Sequence, residues 1–240
     1  MPFYDLHSRE VNEIPRSLTG VELALDGDPR RRRSGQCRRG PLDPASRDSL
    51  PAELYARRAS VAARIWERVG CELVKRLYLL RHARSNWKDA SLSDRERPLA
   101  GRGRRAAKAM ARHLDEAGVE AQLVLCSAAR RTLETLERIR PALPGSHVQV
   151  EPELYRADAA DLLERLRRVP DAVDSVMVIG HNPALQELAL GLARPGSLTS
   201  RLADKYPTGA LVELEVPVDS WTVVGEGGGQ VVSFIRPRDL

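Results

Sequence analysis

The sequence predicts an α/β protein: a three-layer αβα sandwich on a mostly parallel sheet with an antiparallel edge, preceded by an extension without that pattern. Three observations predict it. From Val74 onward, short apolar runs alternate with segments of helical periodicity. The runs at 77–80 (LYLL), 123–126 (LVLC) and 175–179 (SVMVI) are apolar almost throughout, as strands covered on both faces are. Two further strand-like runs close the chain with no helical segment between them, which suggests an antiparallel pair.

Residues 1–73 make up the expected extension. The stretch 26–44 clusters Pro, Gly and arginines, and such a segment buries too little apolar surface to offset chain entropy. One helix is expected over 51–69, with Leu54, Val61, Ile65 and Val69 near one face, and most of the rest is expected to be poorly ordered. The functional domain is expected at 74–240. Its first strand, 77–80, ends at Arg81-His82. A helix over 101–117 opens on Gly101-Arg102-Gly103 and closes at Gly118. Strand 123–126 leads into a helix over 129–140, stopped by Pro141. A shorter strand at 147–150 precedes a helix over 159–169, stopped by Pro170. Strand 175–179 is followed by a helix over 183–192, with proline at an early helical position. Strands at 210–216 and Gln230–Ile235, separated by the Gly227-Gly228-Gly229 turn, complete the pattern.

The bulk properties exclude several classes. Aromatics are only 4% of the chain, so the core must be built from Leu, Val, Ile and Ala. No apolar run approaches the roughly 18 residues of a membrane span, and no apolar segment follows a basic start or the arginines Arg30–Arg33. Cys37, Cys71 and Cys126 have neither metal-ligand spacing nor a CxxC pair, so neither a disulfide framework nor a zinc site is expected. Together these features predict a cytoplasmic protein. The net charge of +5 is nearly all arginine, since lysine occurs only at 75, 88, 108 and 205. With abundant alanine this reads as the codon bias of a GC-rich genome, and no nucleic-acid partner is expected.

The ends of the strong strands carry the chemistry. In open α/β sheets, ligands bind beyond the carboxyl ends of the strands. Here those ends bear Arg81-His82, Ser127 shortly before Arg131, and Gly180-His181-Asn182. Two histidines and two arginines converging there suit phosphoryl transfer, which is mostly positioning and charge stabilisation. Arginine forks bind two oxygens at once and keep their protons. A neutral imidazole attacks phosphorus, and neighbouring guanidinium groups favour the neutral form. With arginines neutralising the phosphate, no metal or other cofactor is expected. His7, His113 and His147 lack comparable contexts.

Five segments then resemble the histidine phosphatase superfamily, nearest to the SixA-type phosphohistidine phosphatases. Leu79-Leu80-Arg81-His82-Ala83-Arg84-Ser85-Asn86-Trp87 is similar to the family's RHG or RHA motif. Asp94-Arg95-Glu96-Arg97-Pro98-Leu99, followed by Gly101-Arg102-Gly103, resembles D-x-x-R-P-L. Residues 126–135 resemble S-P-A-x-R-T-x-x-T, residues 178–183 resemble V-x-G-H-N-P, and residues 206–210 resemble F-P-T-G-A. The resemblance spans about 74–216 and implies the phosphoglycerate mutase-like fold. It implies His82 as nucleophile, Arg81 and Arg131 as phosphate ligands, and His181 as a further phosphate donor, with Arg97 and Asn182 joining the phosphate site. Arg130 falls at a variable position. It implies a carboxylate proton donor, best matched by Glu153, with Asp158 and Asp161 close in sequence. Larger members often carry Asn six residues after the nucleophile, where this chain has Lys88, and they insert helical caps for which this core is too short. An open site favours a phosphorylated protein, such as a phosphotransfer domain, as partner. A small phosphomonoester, nucleotide or sugar phosphate, is the alternative. A non-catalytic phosphate-binding module is a third reading, against which both histidines and both motif arginines weigh.

Overall fold

The computed structural model describes residues 74–240, and the helix expected over 51–69 lies outside the described residues. Six strands form one sheet: β1 (Lys75–Arg81), β2 (Leu123–Ser127), β3 (His147–Glu151), β4 (Ser175–Gly180), β5 (Leu211–Val216) and β6 (Gln230–Ile235). Their spatial order is β3-β2-β4-β1-β5-β6. β3, β2, β4 and β1 run parallel, while β5 and β6 are antiparallel to their neighbours.

The helices are α1 (Gly101–Glu116), α2 (Arg130–Ile139), α3 (Ala159–Arg167), α4 (Ala184–Leu192) and α5 (Ser197–Asp204). The period-two alternation of strand side chains sorts the apolar runs into two cores. Tyr78, Leu80, Val124, Cys126, Met177 and Ile179 face Met110, Leu114, Leu136 and Ile139 of α1 and α2. Leu77, Leu79, Leu125, Val176 and Val178 face Leu162, Leu166, Leu185 and Leu188 of α3 and α4, with Leu202 of α5. That is why the central runs are apolar at every position: each strand has a core on both sides.

The chain moves outward from β1 through β2 to β3, then returns to place β4 between β2 and β1. This reversal puts α1 and α2 on one face and α3 and α4 on the other, as right-handed crossovers require. It also brings the carboxyl ends of β1, β4 and β2 side by side.

Pro183 precedes α4 as its N-cap residue, at the end of a cis Asn182-Pro183 peptide. Helix α5 carries no clear sequence signature, because Leu198 and Leu202 alone give an i, i+4 pair too sparse to register as a period. No helix among the described residues is long and apolar enough to cross a membrane.

Candidate active site

Backbone pairing places the residues at the strand ends. Arg81 pairs with Gly180 in the β1–β4 register, and the His82 N–H donates to the Gly180 carbonyl (3.1 Å). On the other side of β1, the Arg81 N–H donates to the Ala210 carbonyl (3.0 Å), and the Gly209 N–H reaches the carbonyls of both Arg81 and His82 (3.0 Å each). Gly209 sits at φ +79°, a conformation that side chains rarely adopt, so the Pro207-Thr208-Gly209 turn needs glycine there. Tyr206 is buried beneath this turn, and its hydroxyl donates to the Leu79 carbonyl.

Helix α2 clamps the loop that follows β1. The Thr135 hydroxyl oxygen accepts from the Ala83 N–H (3.1 Å), and the Glu134 carboxylate accepts from the Leu99 N–H (2.9 Å). Between these anchors the loop pairs with itself, through a bridge of Ser85 to Leu99 and a bond from the Asn86 N–H to the Pro98 carbonyl (2.7 Å). The loop carries no helix beyond the 3-10 turn Asp94–Glu96.

His82 is 8% exposed, at a cavity of about 290 Å³ that is also lined by Arg81, Arg84, Ser85, Trp87, Asp94, Arg131 and Thr208. Its Nδ1 lies 2.9 Å from the Ala83 carbonyl. A carbonyl only accepts, so Nδ1 carries the proton and Nε2 keeps its lone pair. Burial drives the His82 pKa down to about 3, helped by His181, Arg131 and Arg81 and opposed by the Ala83 carbonyl. At neutral pH the ring is therefore uncharged, the form in which an imidazole is a nucleophile.

The arginines differ in their commitments. Arg81 donates Nη1 to the Tyr206 carbonyl (2.6 Å), and no other protein acceptor meets its guanidinium among the described residues. Arg131 donates Nη1 to the Asp94 carbonyl (2.6 Å) and Nη2 to Asp94 Oδ2 (3.0 Å). Arg131 Nη2 also lies 3.3 Å from His181 Nδ1, which must then be the acceptor. His181 Nε2–H accordingly donates to Ser127 Oγ (2.9 Å). Burial, then the Arg131 charge, lower the His181 pKa to about 4. The His82 and His181 rings are 5.1 Å apart.

Asp94 is the carboxylate of the cavity. Burial raises its pKa, but the Tyr155 hydroxyl (2.9 Å) and the Arg131 guanidinium outweigh that and hold the carboxyl below its ordinary value. The Tyr155 ring also packs edge-on against His181, with centroids 5.6 Å apart.

Of the residues singled out from sequence, Arg81, His82 and Arg131 thus line one cavity, with His181 bonded to Arg131 beside them. Three others are not among the residues lining that cavity. Glu153 is exposed on the 3-10 turn Pro152–Tyr155 and makes no side-chain hydrogen bond among the described residues; Leu154 of that turn faces the core instead. Arg97 lays its guanidinium over the Trp87 ring, 3.7 Å from the centroid. Asn182 donates to Gln186 Oε1 (2.9 Å), one helical turn on. Asp94, Ser85, Trp87 and Thr208 stand within the segments carrying the resemblance, yet nothing in their spacing marks them as cavity residues. Among the described residues, no group of three or more His, Cys, Asp or Glu side chains is placed to hold a metal ion.

Comparison with known proteins agrees with this geometry. Residues 77–165 match the sequence model of the histidine phosphatase superfamily (branch 1). An uncharacterized protein of Mycobacterium tuberculosis is 32% identical over 163 residues, covering 66% of this chain and 100% of that protein. Among solved structures, a protein assigned as phosphohistidine phosphatase SixA from Nakamurella multipartitia aligns with a TM-score of 0.61 at 25% identity, over 68% of this chain and 96% of that one. The protein histidine phosphatase SixA complexed with tungstate aligns with a TM-score of 0.57 at 25% identity, over 68% of this chain and 98% of its own. Sequence kinship, sheet order and cavity converge on one assignment: this chain belongs to branch 1 of the histidine phosphatase superfamily.

Proposed function

We propose that residues 74–240 carry a phosphatase that works through a phosphohistidine on His82, and that its substrate is phosphohistidine displayed on a protein such as a phosphotransfer domain. One observation carries the reading: a buried, neutral imidazole with Nδ1 committed to the Ala83 carbonyl opens onto an arginine-lined cavity.

His82 Nε2 attacks phosphorus in line with the leaving group, forming the N–P bond as the bond to the leaving nitrogen or oxygen breaks. Arg81 and Arg131 neutralise the equatorial oxygens, with His181 beside Arg131. Water then attacks the phosphohistidine and returns the His82 lone pair. The leaving group needs a proton, and we assign it to Asp94, because Asp94 lines the cavity whereas Glu153 does not. The Asp94 carboxylate accepts from Arg131 Nη2, a donor that a phosphate oxygen would also use. An arriving phosphate dianion competes for that donor and repels the carboxylate, which raises its pKa and leads it to take up the proton it later delivers.

A protein-borne substrate is supported by the likeness to SixA structures and by a mouth whose rim residues, Arg84 and Trp87, are exposed. The test is a turnover panel under EDTA comparing a phosphohistidine protein with nucleotide and sugar phosphates. The highest kcat/KM is expected on the phosphohistidine protein, undiminished by chelation, because arginines supply the positive charge. A clear preference for a nucleotide or sugar phosphate would move the reading to a small-molecule phosphomonoesterase. Strict dependence on an added divalent ion would overturn the arginine-only mechanism.

A further inference from the structure

Trp87 is 68% exposed, the most exposed of the large hydrophobic side chains among the described residues, yet it is held in place on three counts. Its indole N–H donates to Ser85 Oγ (3.0 Å), which fixes the rotation of the ring. The Arg97 guanidinium covers one face, 3.7 Å from the centroid. The backbone segments bearing the two residues are joined by the Ser85–Leu99 bridge and the Asn86-to-Pro98 hydrogen bond. Arg97 is itself mostly buried; its Nη1 forms a long ion pair with Asp94 Oδ1 (3.7 Å), and among the described residues its Nε has no hydrogen-bond partner. Burying the Arg97 Nε–H without an acceptor costs the fold stability, so packing alone does not account for bracing an exposed ring in this way.

The ring lines the same cavity as His82. It cannot be a phosphate ligand, because the face of an aromatic ring carries negative quadrupole charge and repels an anion. The phosphoryl group belongs with Arg81 and Arg131, so Trp87 meets whatever lies beyond the phosphorus. A rigid indole is best matched there by another planar ring, which stacks without ordering any new torsion.

We propose that Trp87, braced by Arg97 and Ser85, is the specificity-determining wall of the leaving-group subsite, selecting phosphoryl groups carried on planar π systems, such as imidazole or aryl rings, over those carried on alkyl oxygens. This rests on the phosphate-site reading above and adds to it the class of leaving group.

The experiment uses two non-hydrolysable ligands with the same anionic head, phenylphosphonate and methylphosphonate, titrated calorimetrically into the full chain and into Trp87→Ala and Trp87→Phe. The unsubstituted protein binds phenylphosphonate about tenfold more tightly than methylphosphonate. Trp87→Ala abolishes that advantage and leaves methylphosphonate binding unchanged, while Trp87→Phe restores most of it. Equal weakening of both ligands would overturn the proposal, since Trp87 would then only support the cavity. So would no change in either, including the case in which Trp87→Ala raises KM for a phosphoprotein alone, which would make it a protein-docking residue. If neither phosphonate binds the unsubstituted protein, the phosphate-site reading falls and takes this proposal with it.

Discussion

A single methyl group on Gly103 tests how the His82 loop is positioned. Gly103 is buried in the first turn of α1, where a Cβ would stand 2.2 Å from the Arg84 carbonyl oxygen and 3.0 Å from Arg84 C and N. Carbon–oxygen contacts settle at about 3.3–3.6 Å, so Gly103→Ala forces the Arg84 backbone back by about 1 Å. That carbonyl is tied to the Ala100 N–H (2.9 Å). One residue earlier, the Ala83 carbonyl holds the His82 Nδ1 proton. The displacement therefore reaches the nucleophile, where a shift of about 1 Å costs on the order of 100-fold in kcat/KM. Stability changes less: alanine gains about 1 kcal/mol of helix propensity, and overpacking costs about 1–3 kcal/mol. The net loss of about 0–2 kcal/mol corresponds to at most about 8 °C in Tm. Gly101→Ala is the internal control, because its Cβ would meet only the ends of Arg104 and Arg105, at 3.8 and 3.9 Å. The assay is turnover of p-nitrophenyl phosphate with Tm measured alongside. Activity falls steeply for Gly103→Ala and holds for Gly101→Ala. A Gly103→Ala protein with full activity and a raised Tm would refute the idea that this helix–loop contact sets the position of His82.

Arg131→Ala is expected to lower kcat/KM by about 100- to 1,000-fold, because the buried guanidinium touches Asp94 and His181. Arg130→Ala has little effect, since its side chain is 54% exposed and, among the described residues, pairs only with Glu134; the reverse ranking would show the motif read in the wrong register. Asp94→Asn slows alkyl phosphomonoesters more than p-nitrophenyl phosphate, whose leaving group needs less protonation, while Glu153→Gln leaves both rates in place. The opposite pattern would return the proton to Glu153. Because burial holds His82 near a pKa of about 3 and His181 near about 4, while an unfolded histidine titrates at about 6.5, the unfolded chain binds more protons between these values. Their contribution is intact above pH about 6.5 and is lost as pH falls toward about 3. Tm should decline on acidification through that window, less steeply in His82→Ala; an unchanged slope in that variant would remove His82 from the account.

How far the site could be read from sequence depends on which kind of structure carries each residue. His82 and His181 stand two residues after apolar runs, so the strands that reveal the fold also place these side chains. Arg131 sits on the first turn of a helix whose start follows from the strand before it. Asp94, Ser85, Trp87 and Thr208 belong to loops whose shape comes from long-range ties such as Leu99 to Glu134 and Gly209 to Arg81, which leave no period in the sequence. Glu153 lies outside the cavity for a related reason. The 3-10 turn after β3 buries Leu154 and so leaves its neighbour exposed, and nothing in the sequence announces that rotation. Arg97 illustrates a different limit. Its type suits phosphate as well as it suits an aromatic face, and only the fold brings Trp87 to it.

The most direct measurement is covalent trapping on the full chain. Brief reaction with labelled phosphohistidine protein or p-nitrophenyl phosphate, followed by denaturation at alkaline pH and peptide mapping, should place acid-labile phosphate on His82. The His82→Ala protein should acquire no label and turn over no substrate while keeping its fold by circular dichroism. Label on another residue, or normal turnover by His82→Ala, would contradict the account at its centre.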